Sequence, residues 1–132
     1  MGDLLLSEVA QRLRLCVRAI DTVARFGGDE FVVMLSALDT DRQAAQQLAA
    51  GIAEKVRRHL AEPYHLQLTQ AGAGAQTVTH HCTASIGVTL FLGHAGSAEE
   101  VLNRADAAMY AAKHGGRNQI CFDTGSAAPP AA

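Results

Sequence analysis

The strongest structural signal in this sequence is the segment RFGGDEFVVML at residues 25–35. Two runs rich in β-branched and aromatic residues, 23–26 and 31–36, flank a Gly-Gly-Asp-Glu tetrapeptide. Runs of this kind form strands, and glycine adopts the positive backbone angles that tight hairpin turns require. The segment therefore predicts two antiparallel strands whose turn carries Asp29 and Glu30.

Three amphipathic helices are predicted around this hairpin. Apolar side chains recur at helical spacing over residues 3–20. A second helix is capped by Asp39 or Thr40 and ends at Pro63, because proline cannot continue a helix. Ser97 is a suitable cap for a third helix, which two glycines terminate.

The remaining β-forming runs complete the predicted order α-β-β-α-β-β-α-β. They lie at residues 64–69, 77–92 with a bend at Gly87, and 119–122. Helices interleaved with hairpins predict an α/β sandwich of the α+β type, with one mainly antiparallel sheet and flanking helices. Residues 1–123 are assigned to one domain, and residues 124–132, rich in small side chains, to a disordered tail.

Composition limits the classes of function. The formal net charge of −2 gives no basic field for nucleic acid or an anionic membrane surface. The apolar run at residues 4–6 lacks the length of a signal sequence or a membrane span, so a cytoplasmic location is predicted. Three separated cysteines fit reduced thiols. Residues 80–82, His-His-Cys, would alternate across a strand, which disfavours a shared metal ion.

The hairpin turn has the chemistry of a magnesium-nucleotide site. Gly27 and Gly28 leave room for an anionic ligand close to the main chain, beside Asp29 and Glu30. Mg²⁺ prefers oxygen ligands and usually takes one or two carboxylates, with substrate phosphates completing its shell. The alternative is that two carboxylates at a turn are simply solvated.

The end of the third predicted helix supplies matching cations. Lys113 brings a point charge and Arg117 a bidentate fork, and both side chains are used in phosphate recognition. The alternative is that Lys113 complements the helix dipole and Gly115 is only a helix cap. Together with the acidic hairpin, the cations favour phosphate binding.

Several short motifs, taken in order, resemble one known family. They are Gly27-Gly28-Asp29-Glu30-Phe31, preceded by Val23-Ala24-Arg25 and followed by Ala84-Ser85-Ile86-Gly87-Val88, Arg104-Ala105-Asp106, Ala108-Met109-Tyr110, Ala112-Lys113 and Gly116-Arg117-Asn118. On these motifs the chain is identified as a member of the GGDEF family, the diguanylate cyclases that join two GTP molecules into cyclic di-GMP. The resemblance extends from residue 2 to about residue 122.

The resemblance implies roles for individual residues. Asp29 and Glu30 would hold Mg²⁺, or Mn²⁺, and Asp29 would lie closest to the attacking 3′-hydroxyl. Gly27 and Gly28 would leave room for the nucleotide, Lys113 and Arg117 would bind its phosphates, and Asp3 would accept hydrogen bonds from the guanine edge. Active relatives work as homodimers, because each domain holds one GTP, and a sensory domain usually lies upstream.

A second site is implied by Arg18-Ala19-Ile20-Asp21. In the family, an Arg-x-x-Asp motif ending five residues before the signature binds cyclic di-GMP as an inhibitor, and Asp21 has that spacing from Gly27. Arg18 can bind phosphate or stack on guanine, and Asp21 can accept from its edge. A plain ion pair at a helix end requires the same two residues.

The family's first strand, with its Asp-x-Asp-x-Phe-Lys motif, has no counterpart in these 132 residues. That motif carries the other metal-binding aspartate, so we expect little or no cyclase activity from this chain by itself. The strand lies in the family between the strands matching residues 30–35 and 84–89, so those two must pair directly or the gap must be filled by oligomerisation. The alternatives are a non-catalytic module that binds cyclic di-GMP, and a decayed fragment.

Overall fold

The computed structural model describes residues 2–27, 29–36, 38, 41–70, 72, 74–91 and 97–123. Its elements, in chain order, are α1 (Gly2–Cys16), β1 (Thr22–Gly27), β2 (Glu30–Met34), α2 (Arg42–Ala61), β3 (Tyr64–Gln70), β4 (Gly74–His80), β5 (Ile86–Val88), α3 (Ala98–His114) and β6 (Ile120–Phe122). The predicted α+β class, with mainly antiparallel pairing and flanking helices, is confirmed. The long strand predicted at 77–92 is divided into β4 and β5 by non-strand residues 81–85. The predicted tail, 124–132, lies outside the described residues.

Strand pairing is divided among three two-stranded sheets. β1 pairs with β2 and β3 with β4, both antiparallel, whereas β5 pairs with β6 in parallel through the α3 crossover. Among the described residues, the single sheet expected from the sequence is not formed, and direct pairing of β2 with β5, one of the two alternatives left open by the sequence, is not observed. Within the described ranges, no strand lies between β2 and β5. Filling of that gap by oligomerisation stays a prediction.

The core lies where α1 crosses α2. Its centre consists of four buried residues, Leu13, Cys16, Val56 and Leu60. Residues from the hairpin, from β5 and from the segment just before β5 pack around this centre: Val23, Phe31, Val33, Ala84 and Ile86. Cys16 is a free cysteine, and its burial raises the pKa of the thiol.

Arg12 joins α1 to the end of α2. Its guanidinium donates hydrogen bonds of 2.8, 2.7 and 2.7 Å to the carbonyl oxygens of His59, Glu62 and Pro63. The same group lies 3.6 Å from the centroid of the Tyr64 ring. The last carbonyls of a helix lack partners within it and carry partial negative charge, so a cation there satisfies and stabilises them.

The other helix ends carry local caps. Asp41 caps α2 by accepting from the Ala44 N–H at 2.9 Å, whereas the predicted caps, Asp39 and Thr40, lie outside the described residues. Ser97 caps α3 as predicted and forms a reciprocal pair of hydrogen bonds with Glu100. In the described part of the chain, no helix is both long enough and apolar enough to cross a membrane.

Gly87 allows β5 to lie directly on α3. A Cβ atom at this position would overlap the backbone of Ala105 and Met109, and would lie 2.9 Å from the carbonyl carbon of Ala108. Real Cβ atoms do not approach other atoms this closely, so a glycine is required here for packing. At Gly87, where the sequence predicts a bend, the backbone of β5 thus lies in close contact with the backbone of α3.

Candidate functional site

The β1–β2 hairpin positions the two predicted metal-binding carboxylates. Gly27 pairs with Glu30, and the register shifts between Arg25 and Gly27, so Phe26 is an extra, bulged residue on β1. Asp29 lies in the turn, and both acidic side chains are exposed. Elsewhere in the described ranges, no side chain forms an ion pair or hydrogen bond with either carboxylate. Gly28, the second predicted glycine, lies outside the described residues.

The chemistry of this turn fits a hard divalent cation. Adjacent carboxylates supply the oxygen donors that Mg²⁺ prefers, and one or two are enough when phosphate oxygens complete the shell. A group of three or more His, Cys, Asp or Glu side chains able to hold a metal does not occur among the described residues. Asp29 and Glu30 are the two carboxylates that this turn could offer to such a cation.

The end of α3 presents the two predicted phosphate-binding residues. Lys113 lies in the last turn and is half-buried, and Gly115 caps the helix by donating to the Ala111 carbonyl at 2.9 Å. The chain then passes through three residues with positive φ, Gly116 at 124°, Arg117 at 63° and Asn118 at 47°. The Arg117 side chain is exposed beyond this turn.

The hairpin and the end of α3 belong to different parts of the fold. α3 packs against β5 and β6, whereas β1 packs against α1. Two surface grooves lie along α1 and just beyond its end, and neither contains both Asp29 and Lys113. The sequence predicts that the hairpin carboxylates and the cations at the end of α3 bind one triphosphate together, and this stays a prediction.

One groove follows a face of α1 from Asp3 to Arg14. It encloses about 250 Å³ between that face and the hairpin residues Val23, Arg25 and Phe31. Arg14 lies eleven residues after Asp3, which corresponds to about 16 Å along a helix axis. An exposed carboxylate therefore lies at one end of the groove and a guanidinium at the other.

Arg18 and Asp21, the predicted product-binding pair, bind each other. The Arg18 Nε and Nη2 atoms donate to the Asp21 carboxylate at 3.0 and 2.8 Å, and the Arg18 and Ser36 amides donate to it at 2.8 and 3.1 Å. The Asp21 side chain is fully buried, while that of Arg18 is 43% exposed. These contacts, led by the Arg18 side chain, lower the pKa of Asp21 to about 2. The ion-pair alternative is thus observed, and ligand binding by the same residues stays a prediction.

A second groove, of about 390 Å³, lies beside this ion pair. Its walls are Arg14, Val17, Arg18, Ala19, Asp21 and Val23. Arg14 and Val23 line both grooves, so the two are adjacent. Sequence reasoning missed Arg14, although its spacing of four residues from Arg18 is the signal that two helical side chains share a face.

Comparison with known proteins gives a consistent result. A family model described as the GGDEF domain of diguanylate cyclases matches residues 1–119. The chain is 43% identical over 122 residues to the bifunctional diguanylate cyclase/cyclic di-GMP phosphodiesterase MucR of Pseudomonas aeruginosa, covering 92% of this chain and 16% of MucR. It is 36% identical over 119 residues to diguanylate cyclase A of Treponema denticola, covering 90% of this chain and 28% of that protein.

Among solved structures, the GGDEF domain of YfiN (TpbB) from Pseudomonas aeruginosa superposes on the chain with a TM-score of 0.72 and 33% identity. The match covers 95% of this chain and 70% of the solved domain. The chain thus spans less than a third of the two curated relatives and about two thirds of a solved domain.

Proposed function

This chain belongs to the GGDEF family of diguanylate cyclases, and we propose on that premise that it provides part of a site that joins two GTP molecules into cyclic di-GMP. The observation that carries the proposal is the signature hairpin, whose turn exposes Asp29 and Glu30 beside Gly27. In this proposal, residues 1–123 form part of a GGDEF domain, and its substrate is GTP from the cytoplasm.

Each proposed role follows from the chemistry of the side chain. Asp29 and Glu30 would hold Mg²⁺ or Mn²⁺ against the triphosphate. When bound, the cation neutralises phosphate charge and lowers the pKa of the attacking hydroxyl. Lys113 and Arg117 would neutralise the remaining phosphate oxygens, and Asp3 would accept from guanine N–H groups. A homodimer would bring two such GTP molecules face to face, under the control of a sensory domain in a longer parent protein.

The isolated chain is expected to bind Mg·GTP but to make little or no cyclic di-GMP. Two carboxylates can anchor a metal nucleotide. Loss of further metal-ligating and positioning groups removes several kcal/mol of transition-state stabilisation, roughly a thousandfold in rate.

Calorimetry with Mg·GTP tests the carboxylate roles. The double variant Asp29→Asn, Glu30→Gln should weaken binding at least about tenfold, because hydrogen bonds and metal contacts made by charged groups are lost. Glu99→Gln, which removes an exposed carboxylate from the first turn of α3, is the matched control and should bind normally. Equal affinity of the double variant and the control would refute the proposed site.

The second candidate is a non-catalytic module that binds cyclic di-GMP in the groove beside Arg18. That groove has a volume of about 390 Å³ and guanidinium groups from Arg14 and Arg18, which suit a phosphodiester. Arg18 would use its exposed side or exchange part of its bond to Asp21 for the ligand. Calorimetry with cyclic di-GMP should show binding that Arg18→Ala abolishes and Arg42→Ala, on α2, leaves intact. A wild-type chain that binds neither nucleotide would support the decayed-fragment alternative.

A further inference from the structure

The turn after α3 has an unusual backbone. Gly116, Arg117 and Asn118 all have positive φ, and the last two carry side chains. L-residues other than glycine avoid this region because Cβ approaches the neighbouring carbonyl oxygen, although asparagine tolerates it better than most. Two such residues in succession persist only where surrounding contacts hold them.

Part of the restraint is local. The Arg117 N–H donates to the Ala112 carbonyl at 3.0 Å, and the Gln119 side-chain amide donates to the same oxygen at 3.0 Å. The Gln119 carbonyl in turn accepts from the Ile86 N–H at 2.9 Å, which joins the end of the turn to β5. These bonds fix both ends of the turn, while Asn118 lies between them.

The restraint on Asn118 comes from α2. The Arg57 Nη1 atom donates to the Asn118 side-chain oxygen at 3.0 Å across 61 residues of sequence. Arg57 is itself held by Glu54, which accepts from its Nε and Nη2 atoms at 2.9 and 2.6 Å. With 24% of its side chain exposed, Arg57 is largely enclosed between this carboxylate and the turn. The planar guanidinium of Arg57 thus connects Glu54, on α2, to Asn118, the residue with positive φ next to Arg117.

We propose that Arg57 is a positioning residue for nucleotide binding: it holds Asn118, and through it the left-handed turn that presents Arg117 to a phosphate group. The role rests on the proposed function, in which Arg117 contacts the triphosphate. Arg57 acts through Asn118 and touches no ligand itself. The adjacent Arg58 also pairs with Glu54, at 3.7 Å, but is 67% exposed, which makes it a matched control on the same helix.

Amide hydrogen exchange tests the positioning without any ligand. In Arg57→Ala, the Arg117 amide should exchange about tenfold faster, as expected when a charge-assisted hydrogen bond restraining the turn is lost. Amides of α1 and the centre of α2 should keep their exchange rates, and Arg58→Ala should leave the Arg117 amide unchanged within about twofold. Unchanged exchange at Arg117 in Arg57→Ala would overturn the inference.

A second variant guards against a folding defect in Arg57→Ala. Asn118→Gly removes the acceptor while keeping a residue that accepts positive φ, and it leaves α2 intact. It should reproduce the faster exchange at Arg117, and adding Arg57→Ala to it should have no further effect. Full additivity of the two substitutions would show that Arg57 does not act through Asn118.

Calorimetry with Mg·GTP then tests the phosphate role separately. Arg57→Ala and Asn118→Gly should each weaken binding about five- to tenfold, in parallel with the loss of protection, while Arg58→Ala should bind as the wild type does. Faster exchange with unchanged affinity would overturn the positioning role. If the wild-type chain bound no Mg·GTP, the proposed function and the phosphate-presenting role would both be refuted, while the exchange data would still decide whether Arg57 holds the turn.

Discussion

Gly87→Ala is the sharpest test of the fold that positions the α3 turn. The added methyl group would overlap the backbone of Ala105 and Met109. Inserting a methyl group into a packed core costs about 1–3 kcal/mol when neighbouring side chains can move aside. Here the obstructing atoms belong to a helix backbone, so α3 as a whole must retreat from β5. We therefore expect a cost near the upper end, about 3 kcal/mol.

A small opposing effect comes from the unfolded chain. Alanine has fewer unfolded conformations than glycine, which returns about 0.5 kcal/mol of stability. The net loss of about 2.5 kcal/mol corresponds to a fall in melting temperature of about 10 °C for a domain of this size. Because single domains have about 5–15 kcal/mol of total stability, the variant should fold but unfold at markedly lower urea concentration.

Gly51→Ala provides the matched control. Gly51 lies within α2, and a Cβ atom there would meet nothing within 4 Å. Alanine in an exposed helix interior is favoured over glycine by about 0.8 kcal/mol, so the control should be more stable than the wild type. Urea unfolding followed by circular dichroism measures both variants. A Gly87→Ala chain within about 0.5 kcal/mol of the wild type would refute the close approach of β5 to α3.

Three other predictions concern the α2 terminus, the Asp21 carboxylate and the sheet edges. Arg12→Ala should lower the free energy of unfolding by about 2 kcal/mol, because three carbonyls at and just beyond the end of α2 lose a charged donor. The control, Arg14→Ala, should change the free energy of unfolding by less than about 0.5 kcal/mol. Equal urea midpoints for the two variants would contradict this prediction. Since folding lowers the pKa of Asp21 from 3.8 to about 2, its contribution to stability is complete above about pH 4 and lost as pH falls through 2. Asp21→Asn should flatten that part of the measured stability profile, and an unchanged profile would exclude the ion pair as its cause. Among the described residues, β2 and β5 each have an edge that no strand covers, which predicts self-association. Sedimentation at rising chain concentration should detect it, and a strictly monomeric chain would contradict it.

The elements that sequence predicts well are those defined by local chemistry. The hairpin follows from two glycines between β-branched runs, and α3 begins where Ser97 and Glu100 form a reciprocal cap. Each of these signals lies within a few residues. The physical cause of the α3 cap, the unpaired N–H groups of the first helical turn, is local as well.

Contacts between distant residues could not be predicted in this way. Arg12 bonds to carbonyls 47 to 51 residues away, and Arg57 bonds to Asn118 across 61 residues. Which charged side chain meets a helix end or a strained turn depends on how the helices cross, and that is set by packing rather than by local spacing.

The site residues show the same division. Sequence identifies Asp29 and Glu30 on a turn, and Lys113 and Arg117 at the end of a helix, because each pair lies in a short segment of recognisable chemistry. It does not determine how the two segments lie relative to one another. That relation depends on which strands share a sheet, and the structure divides the strands among three.

The division into three sheets connects the stability of the chain to its proposed chemistry. Asp29 and Glu30 are carried by the β1–β2 pair, whereas Lys113 ends the helix that packs on β5 and β6. Over the described ranges, strand hydrogen bonds do not link these two pairs, so packing around the shared core relates the carboxylates to the cation. A strand seated between β2 and β5 would satisfy the backbone groups on both edges and fix the distance between the carboxylates and the cation at the same time. Completion of the sheet and assembly of the nucleotide site would then be one structural event.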